Sequence, residues 1–145
     1  MKTVKEISIK LENKPGKLSA LSDLLAAEGI VILALTVRPA GATGIVSFVV
    51  TDPFRVVNIL EGAGYKATLT DIIAAEAPQH PGGFSAVLRA LKAADVNIEY
   101  LYTCINSNFS GDRVILLLGV SDVATAHDAL SREWIPVYGE ELYSL

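Results

Sequence analysis

The sequence predicts an α+β protein in which one order of elements, βαββαβ, occurs twice. The first observation is a repeated turn, because Pro15-Gly16 recurs as Pro81-Gly82, 66 residues later, each time between a strand-like segment and an apolar helix. The second observation is that the same kinds of segment follow both turns in the same order. Two helices and four strands need a common core, so each unit is expected to form an antiparallel sheet covered by helices on one face. This is the ferredoxin-like arrangement.

The first unit opens with a half-buried strand and an amphipathic helix. Ile7, Ile9 and Leu11 alternate with polar residues, as they do in a strand that turns one face to the core. Leucines then recur at helical spacing after Pro15-Gly16, which gives the helix one apolar face. Gly29 follows the last of them, where a helix commonly ends with a residue of positive φ.

A hairpin, a second helix and a last strand complete the first unit. Two runs rich in β-branched residues flank "RPAGAT" at 38–43, which is expected to form the hairpin loop. Asp52 and Pro53 then provide a capping acid and a proline at the first helical position. The stretch "YKATLT" at 65–70 supplies the last strand.

The second unit repeats this order with substitutions and one insertion. About four extra residues fall in "NSNFSGD" at 106–112, whose Asn, Ser and Gly content predicts an exposed loop. Tyr100 and Tyr102 are expected to share one face of a strand with Ile98 and Cys104, facing the core or a domain interface. Strands of this unit are predicted at 96–105, 113–120 and 135–139. One helix is predicted to begin at Phe84, and a second is predicted to span 121–132.

The domain boundary is predicted near 70–73, which gives two units of about 70 residues each, at 1–70 and 71–145. No flexible spacer separates the last strand of one unit from the first strand of the next, so the units are expected to pack together. The middle strands are apolar on both faces, whereas a sheet with one wet face should alternate more cleanly. We therefore expect the second face, or the sheet edge, to be covered by the other unit or by another chain, as in a homodimer.

Composition and charge restrict the functional class. The 145 residues are 51% hydrophobic and 19% charged, which is typical of a packed globular protein and not of a disordered chain. A net charge of -4 gives no basic field to attract nucleic acid or a membrane surface. One cysteine excludes an internal disulfide, and no Cys/His cluster is present to hold a metal. Because neither a signal peptide nor an apolar run of membrane-spanning length is present, a cytoplasmic protein is expected.

The repeated turn is suited to binding an anion on physical grounds alone. A helix start has unpaired N–H groups and partial positive charge, which favour a carboxylate. Gly16 and Gly82 leave the backbone accessible, and Asn13 or Gln79 can both donate to and accept from a zwitterion. The same residues also fit a structural role in which Asn13 caps the helix and Pro-Gly shapes the turn. The turn alone leaves both interpretations open.

Two short motifs around these turns point to a known family. Residues 13–18, NKPGKL, match an N/D-x-P-G-x-L turn in full, and residues 29–32, GIVI, match G-[IV]-N-I except for Val in place of Asn. In the second unit, residues 79–84, QHPGGF, depart from the turn motif at both ends, and residues 95–98, DVNI, keep Asn but lack Gly. Together with the duplicated topology, these motifs resemble the ACT domain, a family of small ligand-sensing modules that usually bind amino acids.

The resemblance implies a stand-alone, non-catalytic regulatory protein built of two ACT domains, without cofactor or metal. It covers nearly the whole chain and leaves no room for an attached catalytic domain. Family members commonly pair sheet edges or faces, which implies a homodimer. The implied ligand is a small molecule, as a rule an amino acid. The implied ligand-binding residues are Asn13, Lys14, Pro15, Gly16, Lys17, Leu18, Val31, Ile32, Gln79, His80, Pro81, Gly82, Gly83, Phe84, Asn97 and Ile98.

Several alternative functions fit parts of the sequence. A regulatory subunit that docks onto a metabolic enzyme, with ligand binding secondary, remains the main alternative to a sensor. An enzyme would need a nucleophile–base pair or a carboxylate pair in a motif, and none is found. The RNA-recognition module shares the element order, but its aromatic signature is absent from both third strands. Metal carriage on this fold would need a CxxC at the first turn.

Overall fold

The computed structural model describes residues 1–104 and 112–144 of the chain. It contains two compact units, an N-terminal unit formed by Lys5–Thr70 and a C-terminal unit formed by Met1–Val4 together with Asp71–Leu145. Apart from Asp112, the insertion predicted at 106–112 lies outside the described residues.

The N-terminal unit follows the predicted order of elements. Its elements are β1 (Val4–Glu12), α1 (Lys17–Ala27), β2 (Ile32–Ala40), β3 (Thr43–Val50), α2 (Pro53–Gly62) and the start of β4 (Thr68–Pro78). Strand β3 lies between β1 and β2 and is antiparallel to both, so β1 and β2 run parallel to each other. Both strands therefore finish at the same end of the sheet, where Glu12 and Ala40 pair with the two sides of Thr43.

The core of the N-terminal unit lies between the sheet and its two helices, as the sequence predicted. Ile7, Ile9 and Leu11 of β1 are buried in it. Each fully buried side chain of this size stabilises the fold by roughly 1.5–3 kcal/mol, so this cluster dominates the stability of the unit. The other buried members are Leu21, Leu25, Ile30, Val46, Phe48, Val50, Val56 and Leu60.

The predicted helix boundaries of this unit are confirmed at two positions. Asp52 is the N-cap of α2, and its side chain accepts a hydrogen bond from the backbone N–H of Arg55 at 3.4 Å. Gly29 follows α1 with a φ of 72°, a left-handed conformation that L side chains disfavour. Residue types that are typical of helix ends therefore predicted correctly where α2 begins and where α1 ends.

The β2–β3 hairpin is tighter than the sequence indicated. The sequence predicts a loop at 38–43, but β2 continues to Ala40 and pairs Arg38 with Ile45. Gly41, at a φ of 69°, begins a two-residue turn between the strands. Pro39 is compatible with a strand because β2 lies at one end of the strand order, where a missing N–H breaks no ladder.

The face of the N-terminal sheet opposite its helices is buried as well. Ala34, Ser47 and Val49 are fully buried on this face. The hydroxyl of Ser47 is satisfied there, since its Oγ lies 2.8 Å from Ser8 Oγ. These residues offer no surface to a second chain, so the predicted homodimer would need a sheet edge or a different face.

The C-terminal unit repeats the arrangement with a shorter last strand. Its elements are β4 (Thr68–Pro78), α3 (Gly83–Ala93), β5 (Ile98–Thr103), β6 (Arg113–Val120), α4 (Val123–Arg132), β7 (Val137–Tyr138) and a 3-10 helix (Glu140–Ser144). The strand order is β7-β4-β6-β5, and all neighbours are antiparallel. The sequence predicts two successive strands where β4 runs unbroken, and it does not predict the 3-10 helix.

A β-bulge in β5 separates the predicted aromatic stripe into two faces. Ile98 packs on the core of this unit, but the register shifts between Ile98 and Tyr100, so Tyr100 and Tyr102 point to the opposite face. Their rings stack with centroids 6.4 Å apart. Gly119 is required beneath them, because an added Cβ would lie 2.2 Å from the ring of Tyr100. The prediction that both tyrosines share a face with Ile98 is therefore wrong.

Candidate functional site

The first turn presents a helix start without a side-chain cap. Strand β1 ends at Glu12, and Gly16 is the N-cap of α1 with a φ of 88°. No described side chain caps this helix, and its first turn contains no acidic residue. The interpretation of Asn13 as a helix cap is therefore wrong, because a glycine with no side chain to offer holds the cap position. The partial positive charge of the helix start remains available to an anion.

A cavity of about 250 Å³ lies between this helix start and the end of the β2–β3 hairpin. Leu11 and Val46, both buried, form an apolar floor, and the exposed side chains of Leu18 and Val37 lie at its rim. Four of the predicted residues meet here, and their neighbours complete the lining. The lining residues are Leu11, Glu12, Asn13, Lys14, Lys17, Leu18, Val37, Arg38, Pro39, Thr43, Gly44 and Val46.

Three cationic side chains and one carboxylate line this cavity. Glu12 Oε2 lies 3.0 Å from Lys14 Nζ, and Glu12 Oε1 lies 3.9 Å from Lys17 Nζ. Because these side chains are about half exposed, each ion pair contributes at most about 1 kcal/mol and can rearrange around a ligand. Arg38 adds the third cation, so three positive charges minus one negative charge leave an excess of two. The cavity therefore favours an anionic group while keeping one acceptor for an ammonium group.

Two charged lining residues, Glu12 and Arg38, are absent from the predicted set, and of these Arg38 is the one distant from the turn in sequence. It falls inside the loop predicted at 38–43, and a loop position gave no reason to place it at the turn. The two-residue turn at Gly41 instead extends β2, which brings the end of this strand beside the β1–α1 turn. A two-residue turn predicted at Gly41 and Ala42, with paired strands on both sides, would have placed Arg38 at the end of β2.

The second turn repeats this backbone with different side chains. Gly82 is the N-cap of α3 with a φ of 91°, again without a side-chain cap. His80 Nδ1 lies 2.9 Å from the carbonyl oxygen of the adjacent Pro81, so the imidazole is engaged locally. A cavity of about 360 Å³ adjoins this turn, and its described lining includes neither Lys nor Arg. That lining is Pro78, Gln79, His80, Gly82, Phe84 and Ser85.

The two turns also differ in the residue that follows the N-cap glycine. At the first turn it is Lys17, whose side chain borders the cavity. At the second turn it is Gly83, which is buried, and an added Cβ would lie 1.8 Å from the carbonyl oxygen of Pro78. The second turn therefore closes on its own strand at the point where the first turn presents a cation.

Val31 and Ile32 lie at the opposite end of β2 from the charged cavity at the first turn. They stand at the start of β2, whereas the last residues of β2 border the cavity, about 25 Å away at roughly 3.3 Å per residue. Val31 is exposed, and its N–H donates to Thr51 Oγ1 at 3.2 Å. Ile32 lines a separate apolar cavity of about 320 Å³ beside α1. Leu18 of the first motif lines this cavity as well, so within the N-terminal unit the two predicted motifs share a cavity only through Leu18 and Ile32.

Asn97 and Ile98 occupy the matching place in the C-terminal unit. Both line a cavity of about 410 Å³ at the start of β5, at the opposite end of the sheet from Pro81. The N–H of Asn97 donates to Ser121 Oγ at 3.0 Å, as that of Val31 does to Thr51. The equivalent bonds in both units indicate that this motif fixes the entry of a strand.

Away from the two turns, the Glu76 carboxylate is held in structural contacts. Glu76 in β4 accepts from Tyr138 Oη at 2.9 Å and pairs with Arg113 Nη1 at 2.5 Å. Burial and the Glu76 carboxylate raise the pKa of Tyr138 to about 12, and burial raises the pKa of Cys104 to about 11.

The described residues contain no His, Cys, Asp and Glu grouping that could hold a metal ion. Among them, moreover, no helix has the length and apolarity that crossing a bilayer requires.

Comparison with known proteins identifies the family. Residues 2–135 match the family described as ACT domain pair. Protein BT0572 from Bacteroides thetaiotaomicron is 28% identical, with a TM-score of 0.90 over 99% of this chain and 97% of that chain.

Two more distant structures share the fold. The regulatory subunit of aspartate kinase from Thermus thermophilus, in its ligand-free form, is 18% identical, with a TM-score of 0.65 over 91% of this chain and 93% of that chain. The corresponding subunit from Thermus flavus is 17% identical, with a TM-score of 0.56 over 92% of this chain and 97% of that chain. No curated protein matches this sequence. Since the family match extends over nearly the whole chain and the fold agrees with it, the chain belongs to the ACT domain pair family.

Proposed function

We propose that this chain is a non-catalytic regulatory protein of the cytoplasm that binds an amino acid at its first turn. The observation that carries the proposal is the cavity of about 250 Å³, in which an uncapped helix start, three cations and one carboxylate surround an apolar floor. Membership of the ACT domain pair family supports a sensing role. The regulatory role named for the aspartate kinase subunits supports the same conclusion.

The cavity offers a suitable partner to each part of an amino acid zwitterion. The ligand carboxylate would be attracted by the positive end of α1 and by Lys17 and Arg38, since charge-assisted hydrogen bonds are the stronger ones. The α-ammonium group would pair with the Glu12 carboxylate. An apolar part of the ligand would rest on Leu11 and Val46, which form the floor.

Size and charge narrow the class of ligand. Pockets for drug-sized ligands hold roughly 300–1,000 Å³, so a cavity of about 250 Å³ suits a single small metabolite. The excess of two positive charges around it attracts anions. We therefore expect acidic amino acids to bind more tightly than lysine or arginine, whose second cationic group would be repelled.

A second candidate function is docking onto a metabolic enzyme, with the ligand secondary. Its support is that two of the similar structures are named as regulatory subunits of aspartate kinase. Both candidates predict a non-catalytic protein, but only the first requires the turn cavity to be occupied. The binding experiment below separates them.

The experiment is thermal unfolding in the presence of each of the twenty amino acids at millimolar concentration. A ligand that binds only the folded state stabilises it by RT ln(1 + [L]/Kd), about 2.7 kcal/mol at a hundredfold excess over Kd. For a chain of this length that raises Tm by roughly 5–10 °C. Arg38→Gln should abolish most of this increase, because it removes a cation from the cavity.

Arg55→Gln is the matched control. Arg55 belongs to the same unit, but it pairs with Glu28 at 3.0 Å and does not line the cavity. Its removal should leave the ligand-induced increase intact. Gly16→Val is a poorer test, since any side chain at a φ of 88° strains the turn whether or not a ligand binds.

Unchanged Tm with all twenty amino acids would contradict the sensor function. Affinity purification from the native cell would then test the docking alternative. Stoichiometric recovery of a metabolic enzyme, at the same yield with Arg38→Gln as with the unaltered chain, would support docking without a ligand at this turn.

A further inference from the structure

Trp134 adopts a backbone conformation that is unusual for a bulky residue. Its φ is 59°, in the left-handed region, where it ends α4 with its N–H donating to the Ser131 carbonyl at 3.1 Å. Gly64 ends α2 in the same way, with its N–H donating to the Glu61 carbonyl at 3.1 Å. The repeat thus places Gly in one unit and Trp in the other at a position that favours Gly. Nothing in the local backbone requires the tryptophan.

The side chain of Trp134 is also almost fully exposed. Its exposed fraction is 92%, the largest among the exposed large hydrophobic side chains of the described residues. A left-handed backbone and an indole in water are both unfavourable for the isolated unit. A residue that costs stability in two ways and touches almost nothing is a candidate contact residue for a partner.

A cleft lies directly beside Trp134. It has a volume of about 590 Å³ and lies between α3 and the end of α4, and Glu133 and Ile135, on either side of Trp134, both line it. Its charged residues are Arg89 and Lys92 from α3 and Glu133 from the end of α4. The remaining lining residues are Ala86, Ala90, Ala93 and Ile135.

We propose that this face of the C-terminal unit binds a second copy of the same chain, with each Trp134 inserted into the cleft of the other copy. A twofold interface needs a surface that is complementary to itself. This surface has an aromatic projection beside a cleft lined by alanines, which can receive it. It also has two cations and one carboxylate, so that Glu133 of each copy can face Arg89 and Lys92 of the other.

The expected dimer is a weak one. A buried tryptophan contributes roughly 150–250 Å² of buried surface, so two reciprocal insertions with their rims stay below the roughly 1,200 Å² of a standard stable interface. We therefore expect a dissociation constant in roughly the micromolar range. The proposal does not depend on amino-acid binding at the first turn, because that turn lies in the other unit.

The chain contains one tryptophan, so its fluorescence reports on this contact directly. Sedimentation of the full chain should show a mass that doubles with concentration. Over the same concentrations, acrylamide quenching of Trp134 should decrease and its emission should shift to the blue. A chain that remains monomeric at roughly 200 µM, or a dimer in which Trp134 is quenched as fully as in the monomer, would overturn the proposal.

Trp134→Gly is the decisive variant, because it removes the anchor and installs the residue found at the equivalent position of the other unit. It should weaken dimerisation about thirtyfold or more while the chain stays folded. Phe54→Ala is the matched control, since Phe54 is an exposed aromatic residue on α2. It should leave dimerisation unchanged. Equal effects of the two variants, or no effect of Trp134→Gly, would contradict the proposal.

A charge exchange tests the orientation of the two copies. Glu133→Arg should weaken dimerisation roughly tenfold, because it faces Arg89 and Lys92 of the other copy. Adding Arg89→Glu to the same chain should recover part of that loss. If the double variant dimerises more weakly than Glu133→Arg alone, the proposed pairing is wrong.

Discussion

At both turns a glycine with a φ near 90° begins an uncapped helix, yet the surroundings of the two glycines differ. Lys14 and Lys17 of the first turn correspond to His80 and Gly83 of the second. The first cavity has an excess of positive charge, whereas the described lining of the second includes neither lysine nor arginine. The same backbone is therefore surrounded by an excess of positive charge in one unit and, among the described lining residues, by no lysine or arginine in the other.

This difference distinguishes the residues of the motif that form the turn from those that vary between the two units. Proline and a left-handed glycine are what the chain needs to leave a strand and enter a helix, and both turns keep them. The side chains around them are free to differ, and they decide charge and access. The Pro-Gly pair is therefore common to both units, and the neighbouring side chains set the charge around each turn.

The two units also differ in the residues that end their helices. In the N-terminal unit, Gly29 and Gly64 end the helices in the left-handed conformation, which costs glycine little. In the C-terminal unit, Asp95 and Trp134 hold the corresponding positions at φ of 56° and 59°. Aspartate tolerates this conformation moderately well, and tryptophan does so poorly.

Exchanging the residues that follow the N-cap glycines should give the largest effect. Gly83→Lys would force a Cβ to 1.8 Å from a backbone carbonyl, so the turn must open. We expect a loss of roughly 3 kcal/mol, or about 10 °C in Tm. Lys17→Gly, the reverse change at the first turn, should cost less than about 1 kcal/mol. Calorimetric unfolding of both variants measures the difference, and equal losses would show that the two turns are closed alike.

Side chains of the first turn, and not those of the second, should control ligand affinity. Lys17→Gln should weaken amino-acid binding about tenfold, since a hydrogen bond to a charged group contributes roughly 1.5–3 kcal/mol. His80→Ala should leave the affinity unchanged. Isothermal titration with the best amino acid from the thermal screen tests this, and a loss with His80→Ala as large as with Lys17→Gln would move the site to the second turn.

Most of the fold could be predicted because its signals are local. The alternation of Ile7, Ile9 and Leu11, the cap at Asp52 and the helix end at Gly29 each depend on a few adjacent residues. The faces of Tyr100 and Tyr102 could not be predicted, because the bulge that reverses them depends on the pairing of β5 with β6. The alternation of side chains along one strand does not show which residues of the neighbouring strand they pair with.

The candidate site could be predicted only in part, for the same reason. Asn13, Lys14, Lys17 and Leu18 were found because they belong to one contiguous turn. Arg38 was missed because its place beside that turn depends on where the hairpin closes, which is a property of two paired strands. The starts of β2 and β5 were assigned to the site by motif. Strand direction places them at the other end of each sheet, and Ile32 adjoins the first turn only through the apolar cavity that it shares with Leu18.

A comparison of two alanine variants tests the revised role of Asn13. Asp52→Ala removes a side-chain cap and should lower the free energy of unfolding by about 1 kcal/mol. Asn13→Ala removes no cap and should change it by less than about 0.5 kcal/mol, although it should weaken ligand binding. Chemical denaturation of both variants without ligand measures this. If Asn13→Ala costs as much as Asp52→Ala, the first turn is capped after all.

The smallest effects are expected at the helix ends of the C-terminal unit. Trp134→Gly should stabilise the monomer by roughly 0.5–1 kcal/mol, because relief of a left-handed bulky residue outweighs the greater freedom of glycine in the unfolded chain. Asp95→Gly should change stability by less than about 0.5 kcal/mol, since aspartate adopts this conformation with less strain and the two contributions nearly cancel. The measurement is denaturation at a concentration where the unaltered chain is monomeric, so that loss of the proposed dimer does not contribute. A stabilisation by Asp95→Gly that equals or exceeds that of Trp134→Gly would show that Trp134 is not the more strained of the two residues, and it would remove the argument that the tryptophan is held there for a contact.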